Sequence, residues 1–74
     1  GVDAWNAWRR KHPRIKRPDL SFASLPTDLD GVNFQGVDLR GVAASGSSLR
    51  GANLSHSSLI DTLLNDSDLD EAMG

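Results

Sequence analysis

From residue 31 the chain repeats every five residues: GVNFQ, GVDLR, GVAAS, GSSLR, GANLS, HSSLI, DTLLN, DSDLD. The fourth place in these blocks is Phe34, Leu39, Ala44, Leu49, Leu54, Leu59, Leu64 and Leu69, and the second is always small or β-branched. The third and fifth places are mostly polar. The pattern runs backwards through PTDLD, a four-residue block FASL, and RPDLS, so that Leu29, Leu25 and Leu20 join the fourth-place series. An amphipathic helix would repeat near 3.6 residues and a half-buried strand at 2. Five is odd, so a single long strand would turn alternate leucines to its outer face. The chain must therefore turn a corner in every block, and four corners close a square coil of about twenty residues whose turns stack at the strand spacing of about 4.8 Å.

The blocks match the pattern of a known family. Eight of them stand in unbroken register, and GANLS at 51–55 fits best: a central Leu or Phe with a small residue two before it. Residues 17–73 resemble the pentapeptide-repeat family, and WNAWRRKHPRIKRPDLS resembles the segment that leads into the repeats of bacterial members. The resemblance implies an all-β solenoid, a right-handed quadrilateral β-helix of about three coils, with a short N-terminal capping helix. The expected division is a helical cap and basic linker over 1–16 and the repeat β-helix over 17–74.

Coils of twenty residues predict which side chains stack. Leu29, Leu49 and Leu69 should form one column and Phe34 and Leu54 another; the short block moves the earlier pairs to nineteen, giving Leu20–Leu39–Leu59 and Leu25–Ala44–Leu64. The last column is thin at Ala44, so Phe34 or a neighbouring leucine should lean into the gap. Outside, Asp30, Arg50 and Asp70 should stack as acid, base, acid, and Asn33 should align with Asn53.

The N-terminal stretch has a different period. VDAWNAWRRK reads as a short helix with Asp3 as its N-cap, Arg9, Arg10 and Lys11 at its C-terminal end, and Pro13 stopping it. Trp5 and Trp8 share one face at i, i+3. They are expected to form a lid over the first coil, with Phe22 and Ile15 beside them.

Charge changes the picture only in its distribution. Residues 1–18 hold six bases against Asp3, while residues 19–74 hold two bases against nine acids, so a formal charge of −2 joins a basic end to an acidic body. The candidate interaction surface is therefore Arg9, Arg10 and Lys11 at one end and Asp61, Asp66, Asp68, Asp70 and Glu71 at the other. The acidic body argues against nucleic acid as the partner. The absence of cysteine fits a reducing compartment, no apolar run approaches the roughly 18 residues of a membrane span, and the expected setting is the bacterial cytoplasm. Starting at Gly1 predicts a piece processed or cut from a longer chain.

Nothing in the sequence points to chemistry. His12 and His56 are expected to be exposed, no third group is placed to hold either as a base beside a serine, and no metal, cofactor or phosphate-loop spacing occurs. The expected function is a non-enzymatic scaffold for a protein partner. Two alternatives remain: a DNA mimic acting on the type II topoisomerase gyrase, a role the resemblance supplies, and a recognition or leader domain that presents an attached peptide to a modifying enzyme. Ile60, Leu63 and Met73 at outward-type places suggest an apolar C-terminal end that is covered by further chain or pairs with a second copy as a homodimer.

Overall fold

A computed structural model of the chain describes every residue except Glu71 and Gly74. One helix, α1 (Val2–Lys11), precedes a body whose regular pairing consists of isolated parallel bridges. The eight bridges sort into four stacks of three: Asp19–Asp38–Ser58, Ser24–Ala43–Leu63, Asp28–Ser48–Asp68 and Asn33–Asn53–Met73. Each is a face of the body, and the chain visits the four faces in order three times. The first two stacks begin with a step of nineteen and all other steps are twenty, which traces the irregularity to the four-residue block FASL. There, Pro26 sits between the bridging residues Ser24 and Asp28, and the corner closes with one residue fewer.

Local chemistry makes the other corners alike. The N–H of the second residue in a block donates to the C=O of the fourth residue in the block before, as in Val37 to Phe34 at 3.0 Å and Ser47 to Ala44 at 3.2 Å. This is an i to i+3 turn whose third residue has positive φ, the geometry of a type II turn. Gly31, Gly36, Gly41, Gly46 and Gly51 hold that place with φ near +70°, and Phe22, His56, Asp61 and Asp66 hold it with φ of 57–62°. Aspartate and histidine enter the left-handed region more readily than most residues, whereas a phenylalanine there is an outlier. Space as well as φ demands glycine at Gly36, where an added Cβ would stand 2.7 Å from the Lys16 carbonyl oxygen.

Between turns of the coil the backbone bonds in a fixed rhythm. The third residue of a block donates to the second residue of the turn above (Asn53 to Val32, 2.9 Å), and the fourth donates to the third residue of the turn below (Phe34 to Asn53, 2.8 Å). The first residue donates to the fifth of the turn below (Gly36 to Ser55, 2.8 Å). These bonds satisfy groups that burial would otherwise leave without water.

Side chains of the second and fourth places fill the interior. Leu29, Val32, Phe34, Val37, Leu39, Val42, Ala44, Leu49 and Ala52 are buried, with Leu20, Leu25, Leu54 and Leu64 half-buried against them. Polar residues are tolerated at the second place because their hydroxyls reach a carbonyl: Thr62 donates to Leu39 at 2.7 Å and Ser67 to Ala44 at 2.9 Å. Phe34, Leu39, Leu49, Leu54 and Leu64 close around Ala44 and leave a cavity of about 10 Å³. That is the lower limit for one water, and the lining is almost wholly apolar.

Two expected columns end differently from their sequence reading. Leu59 and Leu69 are 40% and 44% exposed. A leucine here is buried by the turns above and below it, and none of the described residues lies beneath the third turn. Leu49→Ala should therefore cost about 2–5 kcal/mol, enough to bring a domain of this size close to unfolding. Leu59→Ala should cost less than half as much. Urea denaturation of both variants checks this, and equal losses would contradict the burial gradient.

Candidate functional site: the capped end and the polar faces

The helix forms where the five-residue pattern is absent. Its first turn carries Asp3 and its last Arg9, Arg10 and Lys11, a distribution favourable to the helix dipole. Gly1, not Asp3, is the N-cap, and no side chain caps the N-terminus; Asp3 lies inside the first turn and acts only through its charge. The helix ends at His12, whose N–H still reaches the Trp8 carbonyl at 3.1 Å.

Three side chains of α1 occupy the hydrogen-bonding stations that a further turn of coil would fill above Asn33. Asn6 accepts the Asn33 N–H through Oδ1 at 2.8 Å, the place a second-position carbonyl takes elsewhere, and its Nδ2 donates to the Gly31 carbonyl at 3.0 Å. Trp5 Nε1 (2.7 Å) and Arg9 Nη1 (3.1 Å) donate to the Asn33 carbonyl, which a fourth-position N–H would otherwise serve. Arg9 Nη2 donates to the Gln35 carbonyl at 2.7 Å, replacing a first-position N–H. The Trp5 ring meets Phe34 edge to face at 5.7 Å, so one side chain closes both the polar edge and the apolar interior.

This arrangement corrects the expected lid. Trp8 does not lie on the core; it stacks on the outer side of Trp5 at 5.4 Å and touches His12 at 4.9 Å. Phe22 is 80% exposed and lies on the Gly41 corner, and Ile15 is exposed. Arg9, expected as interaction surface, is committed to the cap, while Arg10 and Lys11 face solvent. Asn6, which both accepts and donates in the cap, carries no charge or aromatic ring to mark it in the sequence. Its only signal is its place one residue from Trp5 on a helix that must cover a coil edge. The cover is partial: an apolar notch of about 230 Å³ between Val2, Leu20, Leu25 and Phe34 stays open beside α1.

The outer faces carry a second recurring motif. At the third place, Asp19, Asp28, Asn33, Asp38, Asn53 and Asp68 each accept the N–H two residues on, with distances of 2.9–3.4 Å. These Asx turns stiffen the corner that follows. The recurrence of Asp or Asn at the third place was a readable signal for them. Asp38 goes further: its carboxylate, buried among its neighbours, takes Arg40 Nε at 2.9 Å and Nη2 at 2.8 Å. The Arg40 side-chain bond, then its backbone N–H, holds the Asp38 carboxyl below the usual carboxylate range, and Asp38 raises Arg40 in return. Asp19 is lowered by the Ser21 hydroxyl and N–H.

The expected acid–base–acid stack is altered. Arg50 turns its guanidinium down to Asp68 (3.7 Å) and Asp70 (4.0 Å), while Asp30 instead receives the Ser48 hydroxyl and the Arg50 backbone N–H at 2.9 Å. Those two donors, the hydroxyl first, hold the Asp30 carboxyl low. A guanidinium bound to one neighbour cannot also reach the turn on its other side. Asn33 and Asn53 share one stack. Asp61, Asp66, Asp68 and Asp70 are all exposed and are distributed around the third turn, Asp61 and Asp66 at successive corners. Among the described residues no three His, Asp or Glu side chains gather closely enough to hold a metal ion, and no helix is long and apolar enough to cross a membrane. Glu71 lies outside the described residues.

Two predictions follow from the cap and the faces. Trp5→Phe keeps a ring on Phe34 but removes the donor, and Asn6→Ala leaves the Asn33 N–H without its acceptor; each should cost about 1–3 kcal/mol in thermal unfolding. Trp8→Ala should cost less, and the opposite order would contradict the cap. The second concerns pH. Folding lowers the Asp19, Asp30 and Asp38 carboxyls, so below the ordinary carboxylate range the unfolded chain binds more protons. Stability should be fully present above about pH 5 and fall as acid titrates the folded carboxylates, below about pH 4. Asp38→Asn should flatten that fall, read from melting temperatures across pH 2–6 at fixed ionic strength.

Residues 47–73 match the family described as Pentapeptide repeats (8 copies). No curated protein matches the chain. The matched stretch covers the later blocks, and parallel bridges continue back to Asp19, with the step shortened to nineteen across the FASL block. With the spacing, the stacked register and the family match in agreement, residues 47–73 are a stretch of pentapeptide repeats.

Proposed function

We propose that the protein is a non-enzymatic scaffold that binds a protein partner through the polar faces of a right-handed quadrilateral β-helix. Residues 1–16 serve as its cap and basic linker, and 17–74 as the repeat body. One observation carries this reading: outward-facing side chains are ordered by the backbone that displays them. Asp28, Ser48 and Asp68 stand in one bridged stack, with Asp30, Arg50 and Asp70 on the corner beside it. The Asx turns fix several of these side chains before any partner arrives, so little side-chain freedom remains to be lost on binding. The cavity enclosed beside Ala44, by contrast, is small and apolar and gives a reacting substrate no room.

The partner best suited to this surface is a protein with a basic face, meeting the carboxylates around the third turn. Those carboxylates also favour a second reading, mimicry of duplex DNA toward a type II topoisomerase, with the partner's DNA-binding groove as the basic face. A homodimer through the C-terminal end would set the exposed Leu59, Ile60, Leu63 and Met73 of each copy together, against the repulsion of Asp61, Asp66, Asp68 and Asp70 on the same turn. The lack of cysteine and the character of the N-terminal segment are compatible with the bacterial cytoplasm as its setting.

Affinity capture with the intact chain, beside a charge-reversed variant (Asp68→Lys, Asp70→Lys), tests the scaffold reading. A specific partner should be retained by the parent chain and lost from the variant; equal retention would overturn the assignment of this face. Inhibition of gyrase supercoiling by the parent chain would favour mimicry, and no effect at high micromolar protein would remove it.

A further inference from the structure

Beside the C-terminal end of α1 the chain forms a surface pocket of about 270 Å³. Three separate segments line it: Arg9 from the helix, His12 and Lys16 from the linker, and Gln35, Gly36 and His56 from the coil. Among the described residues no carboxylate contributes to the lining. Among the described residues the ion pairs use only Arg40 and Arg50 as cations, so Arg9 and Lys16 are not neutralised by an acid. The two nitrogens of Arg9 that bond the cap meet neutral carbonyls and leave its charge intact.

The backbone brings these groups together. Gly36 donates to Ser55, placing its corner directly over the one that His56 begins. The linker crosses the same corner, with the Lys16 carbonyl where a side chain on Gly36 would stand. His56 follows five glycines at the corner place and holds φ of 60°, so an imidazole is kept at a costly backbone position on the wall of a basic pocket. His12 rests on Trp8, which limits its motion.

We infer that this pocket is an anion site for a small phosphate group, free or as a phosphomonoester. Two fixed positive charges and two imidazoles approach from three sides, which suits a tetrahedral oxyanion with several acceptor oxygens better than a planar carboxylate. The volume exceeds what a bare phosphate needs and is at the small end for a ligand. The carbonyl end of α1 opposes an anion with about half a charge, less than either fixed cation. The carboxylate nearest along the chain, Asp38, is already paired with Arg40 at 2.8 Å.

Nuclear magnetic resonance titration of the intact chain tests this, with inorganic phosphate in one arm and glycerol phosphate in the other, at constant ionic strength. Saturable shifts of the His12 and His56 ring protons and the Gly36 amide are expected in at least one arm. The arm that saturates at lower concentration identifies the free ion or the ester as the better ligand. Lys16→Gln, an exposed change, should weaken binding about tenfold. His56→Asn should do the same while keeping a residue tolerant of the left-handed corner. Shifts that grow linearly, that chloride reproduces, or that persist when Lys16→Gln and His56→Asn are combined in a folded chain would overturn the proposal.

Discussion

Backbone hydrogen bonds between turns of the coil are the constraint from which the rest follows. A coil of five-residue blocks has no hydrogen-bonding partners within one turn except at its corners. Every third-, fourth- and first-place amide therefore depends on the turn above or below. That dependence sets the register of nineteen or twenty, aligns the interior columns, and makes the ends of the stack the weak places. It also explains α1: a helix cannot extend the coil, yet Trp5, Asn6 and Arg9 deliver acceptor and donors to the same stations another turn would fill.

The corners distribute strain along the chain. Glycine occupies the left-handed place from Gly31 to Gly51, where the interior is most completely buried; histidine and aspartate occupy it from His56 to Asp66, where burial falls away. A side chain in that region costs roughly 1–2 kcal/mol, so the third turn combines weaker burial with more strained corners. Among the described residues Phe22 is the bulkiest so placed, and its ring lies on the bare Gly41 corner rather than in the core. The middle of the stack is the stable unit, and the third turn bears the exposed carboxylates.

Much of this was legible in the sequence because the period is simple. Phe34, Leu39 and Leu49 are inward for the reason their spacing implies, and the missing residue in FASL accounts for the step of nineteen. What spacing could not convey was three-dimensional accounting. Leu59 and Leu69 obey the same pattern as Leu49 but have nothing beneath them among the described residues. Trp8 shares a helix face with Trp5, yet only one indole reaches the coil while the other supports it. Asn6 and Arg9 reveal their part only once the helix axis is known. Arg50 had acids on both sides; its guanidinium turns to Asp68 and Asp70, while Asp30 takes the Ser48 hydroxyl and the Arg50 backbone N–H.

The two ends of the body differ in charge and in construction. The basic end is built around a helix that stands in for a turn of coil. Whether that substitution holds is most directly read by amide hydrogen exchange at Asn33, whose N–H is served by the Asn6 side chain, compared with Asn53, whose N–H is served by the Val32 backbone. The account predicts that both amides exchange slowly, through the same cooperative opening. An Asn33 amide exchanging at the rate of an unprotected one, while Asn53 stays protected, would contradict it.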